Sequence, residues 1–262
     1  MNVSKEQQKY LKKLRINSLI VNASRIGILV IFIALWEVLV SSGAVDGFLF
    51  SSPSRIVKTT IELYTAGDLF LHIGTTLLET LLGFLIASVL GVLIAVVLWW
   101  SETLRRIFEP YIVVLNSLPK IALGPLIIIW FGAGMKSIVF MAVIITIIVT
   151  IINMLAGFTE TDKNKILLLR SLGATKPQIF FHLVMPSSLP TLVSTLKINV
   201  GMSWIGSIMG EYLVSKRGIG YLIVYGGQVF KLDLVMTSTV ILCVLAALMY
   251  LGVALLEKAI EK

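Results

Sequence analysis

Six long apolar runs constrain the fold of this chain more than any other feature of its sequence. They lie at about 25–43, 71–100, 107–131, 137–157, 189–213 and 234–256. The hydrocarbon core of a bilayer is roughly 30 Å thick and takes about 20 helical residues to cross. Every backbone N–H and C=O inside lipid must be bonded within the protein, so these runs have to form helices. The sequence therefore predicts an all-α polytopic membrane protein with six transmembrane helices.

The composition separates the chain from soluble proteins. Hydrophobic residues make up 57% of it and charged residues only 14%, and its mean hydropathy is +0.97. Soluble domains hold apolar and charged residues at about one half and one quarter. The apolar runs are continuous rather than alternating, which argues against a membrane β-barrel. The lone cysteine, Cys243, has no partner for a disulfide within the chain.

The positive residues predict the orientation of the chain in the membrane. The formal net charge is +8, and the lysines and arginines concentrate near the N-terminus and in short loops, which indicates topology rather than a nucleic-acid site. By the positive-inside rule, residues 1–24 form a cytoplasmic segment, both termini are inside, and 25–262 is a single transmembrane domain. A basic start before an apolar core also fits a signal peptide, but Trp36-Glu37 interrupts that core.

The polar interruption at 158–188 is predicted to lie in the cytoplasm and to hold two short amphipathic helices. Gly173 separates them, because glycine readily takes the left-handed conformation that ends a helix. Thr175 can cap the second helix, where Pro177 occupies a first-turn position that needs no amide. Pro186 is expected to end it.

This loop resembles the cytoplasmic loop of permease subunits of ATP-binding-cassette (ABC) importers. That signature reads Glu-Ala-Ala, three residues, Gly, nine residues, Ile-x-Leu-Pro. With its glycine on Gly173, the closing element falls on 183–186 and the opening triplet on three leucines, so the glutamate is absent. The resemblance implies that the following residues contact a separate ATPase: Leu167, Leu168, Leu169, Gly173, Ala174, Leu183 and Pro186.

The third apolar run contains two prolines, Pro119 and Pro125, which free backbone carbonyls and bend a helix. Residues 118–132 are similar to the Leu-Pro-x-x-Ala-x-x-Pro-Leu-x-x-x-Trp-Phe-Gly pattern of nitrate, sulfonate, taurine and bicarbonate permeases. The segment can be a kinked packing helix or a solute contact. Lys120 either lines the pathway or extends its amine to an interface. Candidate pathway residues here are Asn116, Pro119, Lys120 and Pro125.

The fifth apolar run is unusually polar for a membrane helix, and such groups usually face a bundle interior or a cavity. Its candidate pathway residues are Asn199, Ser203, Ser207 and Glu211. The outer segment after it, Gly218-Ile219-Gly220-Tyr221-Leu222, also resembles the family and is either a surface cover or part of an outer gate.

The resemblance implies a type I permease fold in the cell membrane of a prokaryote. It also implies a homodimer, two ATPase subunits that bind ATP and Mg²⁺, and an extracytoplasmic substrate-binding protein. No nucleotide motif is expected in this chain, because GAGMKS at 132–137 lacks the phosphate-loop spacing. Neither a bound cofactor nor a metal is expected. The solute is expected to be small and anionic or zwitterionic.

Two other classes of membrane protein are less compatible with this sequence. A secondary carrier driven by an ion gradient tends to show internal repeats and midplane acids; no repeat is found here, and Glu37 and Glu79 are the acids that lie away from span ends. A membrane enzyme is less well supported, because the only histidines, His72 and His182, are predicted on opposite sides of the membrane.

Overall fold

A computed structural model of the chain describes residues 5–260, which form helices joined by short turns, without a strand in that range. Residues 1–4 of the predicted N-terminal segment and the last two residues of the predicted C-terminal tail lie outside the described residues. The α-helices, in chain order, are α1 (Lys5–Ser41), α2 (Gly47–Phe50), α3 (Pro53–Thr65), α4 (Leu69–Trp100), α5 (Glu102–Ser117), α6 (Gly124–Phe131), α7 (Met135–Thr159), α8 (Lys163–Ser171), α9 (Lys176–Ile179), α10 (Met185–Ser187), α11 (Leu189–Val214), α12 (Ile219–Gln228) and α13 (Leu232–Ile260).

The predicted membrane-crossing segments correspond to four single helices and two bent pairs. Two pairs are long and apolar enough only when each is counted as one span: α5 with 120–131, bent by 86°, and 176–187 with α11, bent by 58°. The first span begins earlier than predicted, because 5–26 contains no glycine or proline and α1 continues through it. The single helices supply Leu19–Ser41, Leu69–Trp100, Met135–Thr159 and Leu232–Lys258.

The third segment is a sharp elbow rather than one kinked helix over 107–131. Leu118 is extended (φ −66°, ψ 138°) at the end of α5, as expected for a residue that precedes a proline. A 3₁₀ turn, Lys120–Leu123, then leads into α6, which has Pro125 in its first turn. We call 116–125 the elbow. The prolines explain the break, and its angle comes from the way α6 packs.

Helix α7 lies between α4 and α11 and forms the core with them. The small residues Gly83, Ala87 and Gly91, spaced four apart on α4, form a packing face. All three residues are buried, and a methyl group at Gly91 would lie 2.6 Å from the Cβ of Thr150 on α7. Gly206 of α11 approaches the backbone of Ala142, the same residue of α7 that Gly83 of α4 approaches. Small residues let helix backbones approach closely, which is how membrane helices associate without a hydrophobic driving force.

The remaining helices are joined to this core by polar contacts. Helix α3 begins at Pro53, with Ser52 at its N-cap. Glu37 of α1 accepts hydrogen bonds from the amide (2.9 Å) and hydroxyl (2.8 Å) of Ser54, and so joins α1 to α3. Lys197 of α11 pairs with Glu257 of α13 at 2.6 Å.

Candidate coupling loop and translocation site

The loop at 158–188, which is predicted to be cytoplasmic and which we call the inner loop, turns at Gly173, as the sequence predicts. Gly173 has φ +82°. Its amide donates to the Arg170 carbonyl (3.0 Å), and the Ala174 amide donates to the Leu169 carbonyl (2.9 Å). Thr175 is the N-cap of α9. Its backbone amide (2.8 Å) and its hydroxyl (2.9 Å) both donate hydrogen bonds to the side-chain oxygen of Gln178. A glycine joint and a capped helix thus fix the angle between α8 and α9.

The expectation that Pro186 ends the second loop helix is wrong. Phe180–Val184 forms a π turn after α9, in which the Met185 amide bonds to the Phe180 carbonyl. Pro186 then lies in the first turn of α10, where its missing amide is not needed. The helical path continues to Ser187 and bends into α11.

One side of the inner loop is anchored and the other is exposed. Ile179, Phe180 and Val184 are buried against the C-terminal ends of α4 and α7, in a cluster with Ala95, Met154 and Phe158. The exposed side, which we call the leucine face, carries Leu167, Leu168 and Leu172, which are 66%, 58% and 74% exposed. Among the other predicted coupling residues, Gly173 and Pro186 are exposed, and Leu169, Ala174 and Leu183 are half-buried.

Gly173→Val is expected to weaken coupling without preventing membrane insertion. No heavy atom lies within 4 Å of a Cβ built on Gly173, so only its positive φ opposes a side chain. That conformation costs a non-glycine residue roughly 1–2 kcal/mol, and more for a β-branched one. The measurement is substrate-stimulated ATP hydrolysis by the complex with the cognate ATPase. Gly173→Asn should recover part of the activity, because asparagine tolerates this region; equal activities of the Val variant and the parent would contradict the prediction.

The structure divides the predicted pathway residues into two groups. Asn116, Pro119 and Pro125 are exposed on the elbow, and Lys120 is half-buried there. The Lys120 ammonium donates to the Asn116 carbonyl at 3.2 Å, a carbonyl in the last turn of α5 where intrahelical partners run out. The break at Pro119 leaves this carbonyl without an intrahelical partner, and the hydrogen bond to it fixes the position of the Lys120 ammonium.

The three small polar residues of α11 form interhelical hydrogen bonds inside the protomer. The side-chain NH₂ of Asn199 donates to the Ser88 hydroxyl of α4 (2.9 Å), and its side-chain oxygen accepts a hydrogen bond from the Thr150 hydroxyl of α7 (3.1 Å). Ser207 bonds to Thr80 of α4 at 2.6 Å, and Ser203 lies 3.4 Å from Thr146 of α7. These side chains can meet a solute only in a conformation that separates α11 from α4 and α7.

Glu211, the fourth candidate of α11, holds the start of α12. It is buried, and its Oε2 accepts hydrogen bonds from the amides of Gly220 (2.6 Å) and Tyr221 (3.3 Å). A carboxylate at a helix N-terminus is favoured by the unpaired amides and the helix dipole there. A side chain at Gly218 (φ +107°) would overlap the carboxylate, and one at Gly220 would lie 2.8 Å from Oε2. The two glycines of the predicted outer motif therefore let Glu211 approach.

Two residues of α4 that the sequence analysis did not assign complete this anchor. The Gly218 amide donates to His72 Nδ1 at 2.9 Å, and the Ile219 amide donates to Thr76 Oγ1 at 2.7 Å. Buried Glu79 lies against Glu211, and one oxygen of each has no hydrogen-bond partner. We call His72, Thr76 and Glu211 the outer anchor. Within residues 5–260, no three His, Cys, Asp or Glu side chains are grouped to hold a metal ion.

The chain is thus a helical bundle with a glycine-jointed inner loop and an anchored outer segment. Residues 87–262 match the family described as "Binding-protein-dependent transport system inner membrane component", and the chain belongs to that family. It is a multi-pass cell-membrane protein and a permease subunit of the ABC importer class.

Curated relatives of this chain are also permeases. The formylaminopyrimidine transport permease protein ThiX of Halalkalibacterium halodurans is 34% identical over 189 residues, which is 71% of this chain and 74% of that protein. The putative aliphatic sulfonates transport permease protein SsuC of Bacillus subtilis is 28% identical over 88% of this chain and 84% of its own length. The taurine transport system permease protein TauC of Escherichia coli is 23% identical, with coverages of 89% and 86%.

Two solved structures confirm the type I permease fold. An inward-facing structure of the MetNI methionine ABC transporter has a TM-score of 0.66 at 20% identity and covers 75% of this chain and 97% of that chain. A bacterial ABC transporter involved in the import of the acidic polysaccharide alginate has a TM-score of 0.67 at 15% identity, with coverages of 97% and 100%.

Proposed function

We propose that this permease subunit works as a homodimer, is driven through its inner loop by two ATPase subunits, and imports a small anionic or zwitterionic solute brought by a substrate-binding protein. The leucine face is the observation that carries the proposal. It is an apolar surface on α8 and its C-cap, which belong to none of the candidate membrane-crossing helices. Contiguous exposed apolar surface of this kind marks protein contacts.

The anchored side of the loop makes the leucine face mechanically useful. Ile179, Phe180 and Val184 are buried against α4 and α7, and α10 continues into α11. A force on the leucine face therefore passes to core helices rather than being lost in a flexible loop. ATP binding would draw the two loops of the dimer together and turn the pathway from inward- to outward-facing, and hydrolysis would reset it. ATP and Mg²⁺ would bind the ATPase and not this chain.

The elbow is the proposed solute-facing element. Asn116, Pro119 and Pro125 are exposed in the isolated protomer, and the lysine beside them supplies a positive charge. The aliphatic sulfonate and taurine permeases that this chain resembles are named for solutes with an anionic group. The four α11 residues are proposed to support the pathway from behind in this conformation.

Reconstitution tests the proposed function. The tagged chain is co-expressed with the ATPase encoded beside it, purified and placed in liposomes with the binding protein and radiolabelled taurine or an alkanesulfonate as probes. Uptake is expected only with ATP on the ATPase side. Transport by the chain alone under a proton or sodium gradient would overturn the proposal in favour of a secondary carrier.

Lys120→Met is expected to lower uptake of an anionic solute about ten- to a hundred-fold, because a hydrogen bond between the lysine ammonium and the solute would contribute about 1.5–3 kcal/mol. Methionine keeps the apolar stem and removes the charge. Dimer yield and basal ATP hydrolysis are expected to stay near those of the parent. The measurement is initial uptake in the reconstituted complex.

Two variants control for loss of packing and loss of net charge. Lys120→Arg keeps a positive donor near the Asn116 carbonyl and should retain most uptake. Lys136→Met removes a charge from an exposed position at the start of α7 and should have no effect. Equal uptake by Lys120→Met and Lys136→Met would return Lys120 to a role in capping α5 alone.

A further inference from the structure

A cavity lies beside the inner loop, where α4 and α7 end and α5 begins. It has a volume of about 220 Å³, and residues of α8 and α9 line one side of it. We call it the inner pocket. Its polar lining consists mainly of Arg105, Lys163, Arg170, Lys176, Glu102 and Thr161.

The inner pocket has an excess of positive charge. Its one acid, Glu102, already pairs with Arg106 at 2.7 Å and lies 3.9 Å from Arg105. Lys163 and Arg170 form no ion pair within the part of the chain that the structure describes. A concave surface lined by one sign of charge concentrates counter-ions, so the pocket favours an anion.

Thr161 adds a buried, unpaired polar group at the edge of the pocket. The residue lines the pocket and is 6% exposed, and its hydroxyl is buried without a hydrogen-bond partner. A buried polar group without a partner costs about 1–3 kcal/mol. With its side chain turned toward the pocket, Thr161 would donate a hydrogen bond from this hydroxyl to an oxygen-rich anion there.

The level of the pocket points to the membrane surface. Trp99 and Trp100 end α4, and the Lys176 ammonium lies 5.6 Å and 5.8 Å from the centres of their rings. Tryptophan and lysine side chains of this kind gather where lipid headgroups begin. We propose that the inner pocket binds the phosphate group of an anionic phospholipid of the inner leaflet.

The lipid and the proposed ATPase would use different sides of α8. Ile166 and Arg170 face the pocket, whereas Leu168 and Leu172 lie on the leucine face. Positions two apart on a helix point in nearly opposite directions, given 3.6 residues per turn. A bound headgroup would therefore stabilise the pocket-facing side of α8 and leave the leucine face free to contact the ATPase. The proposal rests on the cytoplasmic placement of this loop, which belongs to the proposed function.

The experiment measures lipid occupancy of the full chain by native mass spectrometry, with phosphatidylglycerol and phosphatidylcholine of matched acyl chains as probes. The parent is expected to retain phosphatidylglycerol in preference. Arg170→Gln should lower that occupancy about five-fold, as expected for one cation near an anionic surface. Thr161→Val, which keeps the shape and removes the hydroxyl, should lower it roughly ten-fold. Lys165→Gln removes an equal charge from an exposed position on α8 outside the pocket and serves as the control.

Three results would overturn the proposal. Equal losses in Arg170→Gln and Lys165→Gln, or full occupancy in Thr161→Val, would mean diffuse attraction to a basic surface. Displacement of phosphatidylglycerol by millimolar inorganic phosphate would make the ligand a free anion. Because the assay needs neither the ATPase nor transport, each of these failures is separate from a failure of the proposed function.

Discussion

Gly206→Val is expected to leave little folded protein, because it separates two core helices. A Cβ on Gly206 would lie 3.0 Å from the backbone N of Ala142 on α7, and closer still to its Cα. A backbone cannot turn aside as a flexible side chain can, so α11 would have to move away from α7. Overpacking typically costs about 1–3 kcal/mol when side chains can adjust. This contact should exceed that range, against a total stability of about 5–15 kcal/mol.

The same helix offers a matched control for this prediction. Gly201 is exposed, and no heavy atom lies within 4 Å of a Cβ built on it. Gly201→Val therefore makes the same chemical change on the exposed face of α11, away from α7. The measurement is the yield of monodisperse protein in mild detergent and its midpoint of thermal unfolding. Similar yields and midpoints for the two variants would mean that α11 does not pack on α7 in this register.

The parts of the fold that depend on length and local chemistry could be predicted from the sequence. Long apolar runs give the spans, because lipid permits only helices there. The four-residue spacing of Gly83, Ala87 and Gly91 gives a packing face, and Gly173 with Thr175 gives the joint of the inner loop. Each of these follows from residues close together in the chain.

Angles set by distant contacts could not be predicted. Pro119 indicates a break, but the 86° bend depends on where α6 packs, and Gly124 in its first turn contacts Leu213 of α11. At Pro186 the sequence predicts an end, yet a π turn before it lets the helical path continue. A proline removes one amide, and the surrounding packing decides whether that ends the helix.

The polar residues of α11 show why site residues are harder to predict than spans. A polar side chain in a membrane helix can face a pathway or bond to a neighbouring helix, and Asn199, Ser203 and Ser207 do the second here. The sequence of α4 did contain a pattern from which the outer anchor could have been predicted. His72 and Thr76 are four residues apart and lie on the same face as the small residues that follow, where an interhelical contact is expected.

Glu211→Ala is expected to release the start of α12. The Gly220 and Tyr221 amides would lose their acceptor, and each buried unpaired group costs about 1–3 kcal/mol. Amide hydrogen exchange at 218–222 should therefore become about ten- to a hundred-fold faster, since every 1.4 kcal/mol is a factor of ten. Glu211→Gln should lie between Ala and the parent, because its carbonyl oxygen can still accept.

The pattern of exchange separates release of the outer segment from general unfolding. If Glu211 acts through the outer anchor, amides in the middle of α7 should exchange as in the parent while those at 218–222 speed up. Thr76→Val removes a second acceptor of the anchor, from Ile219, and should affect the same amides. Glu62→Ala removes an exposed carboxylate of α3 and should leave all of them unchanged. Parent-like exchange at 218–222 in Glu211→Ala would show that packing against α13, and not the carboxylate, holds α12 in place.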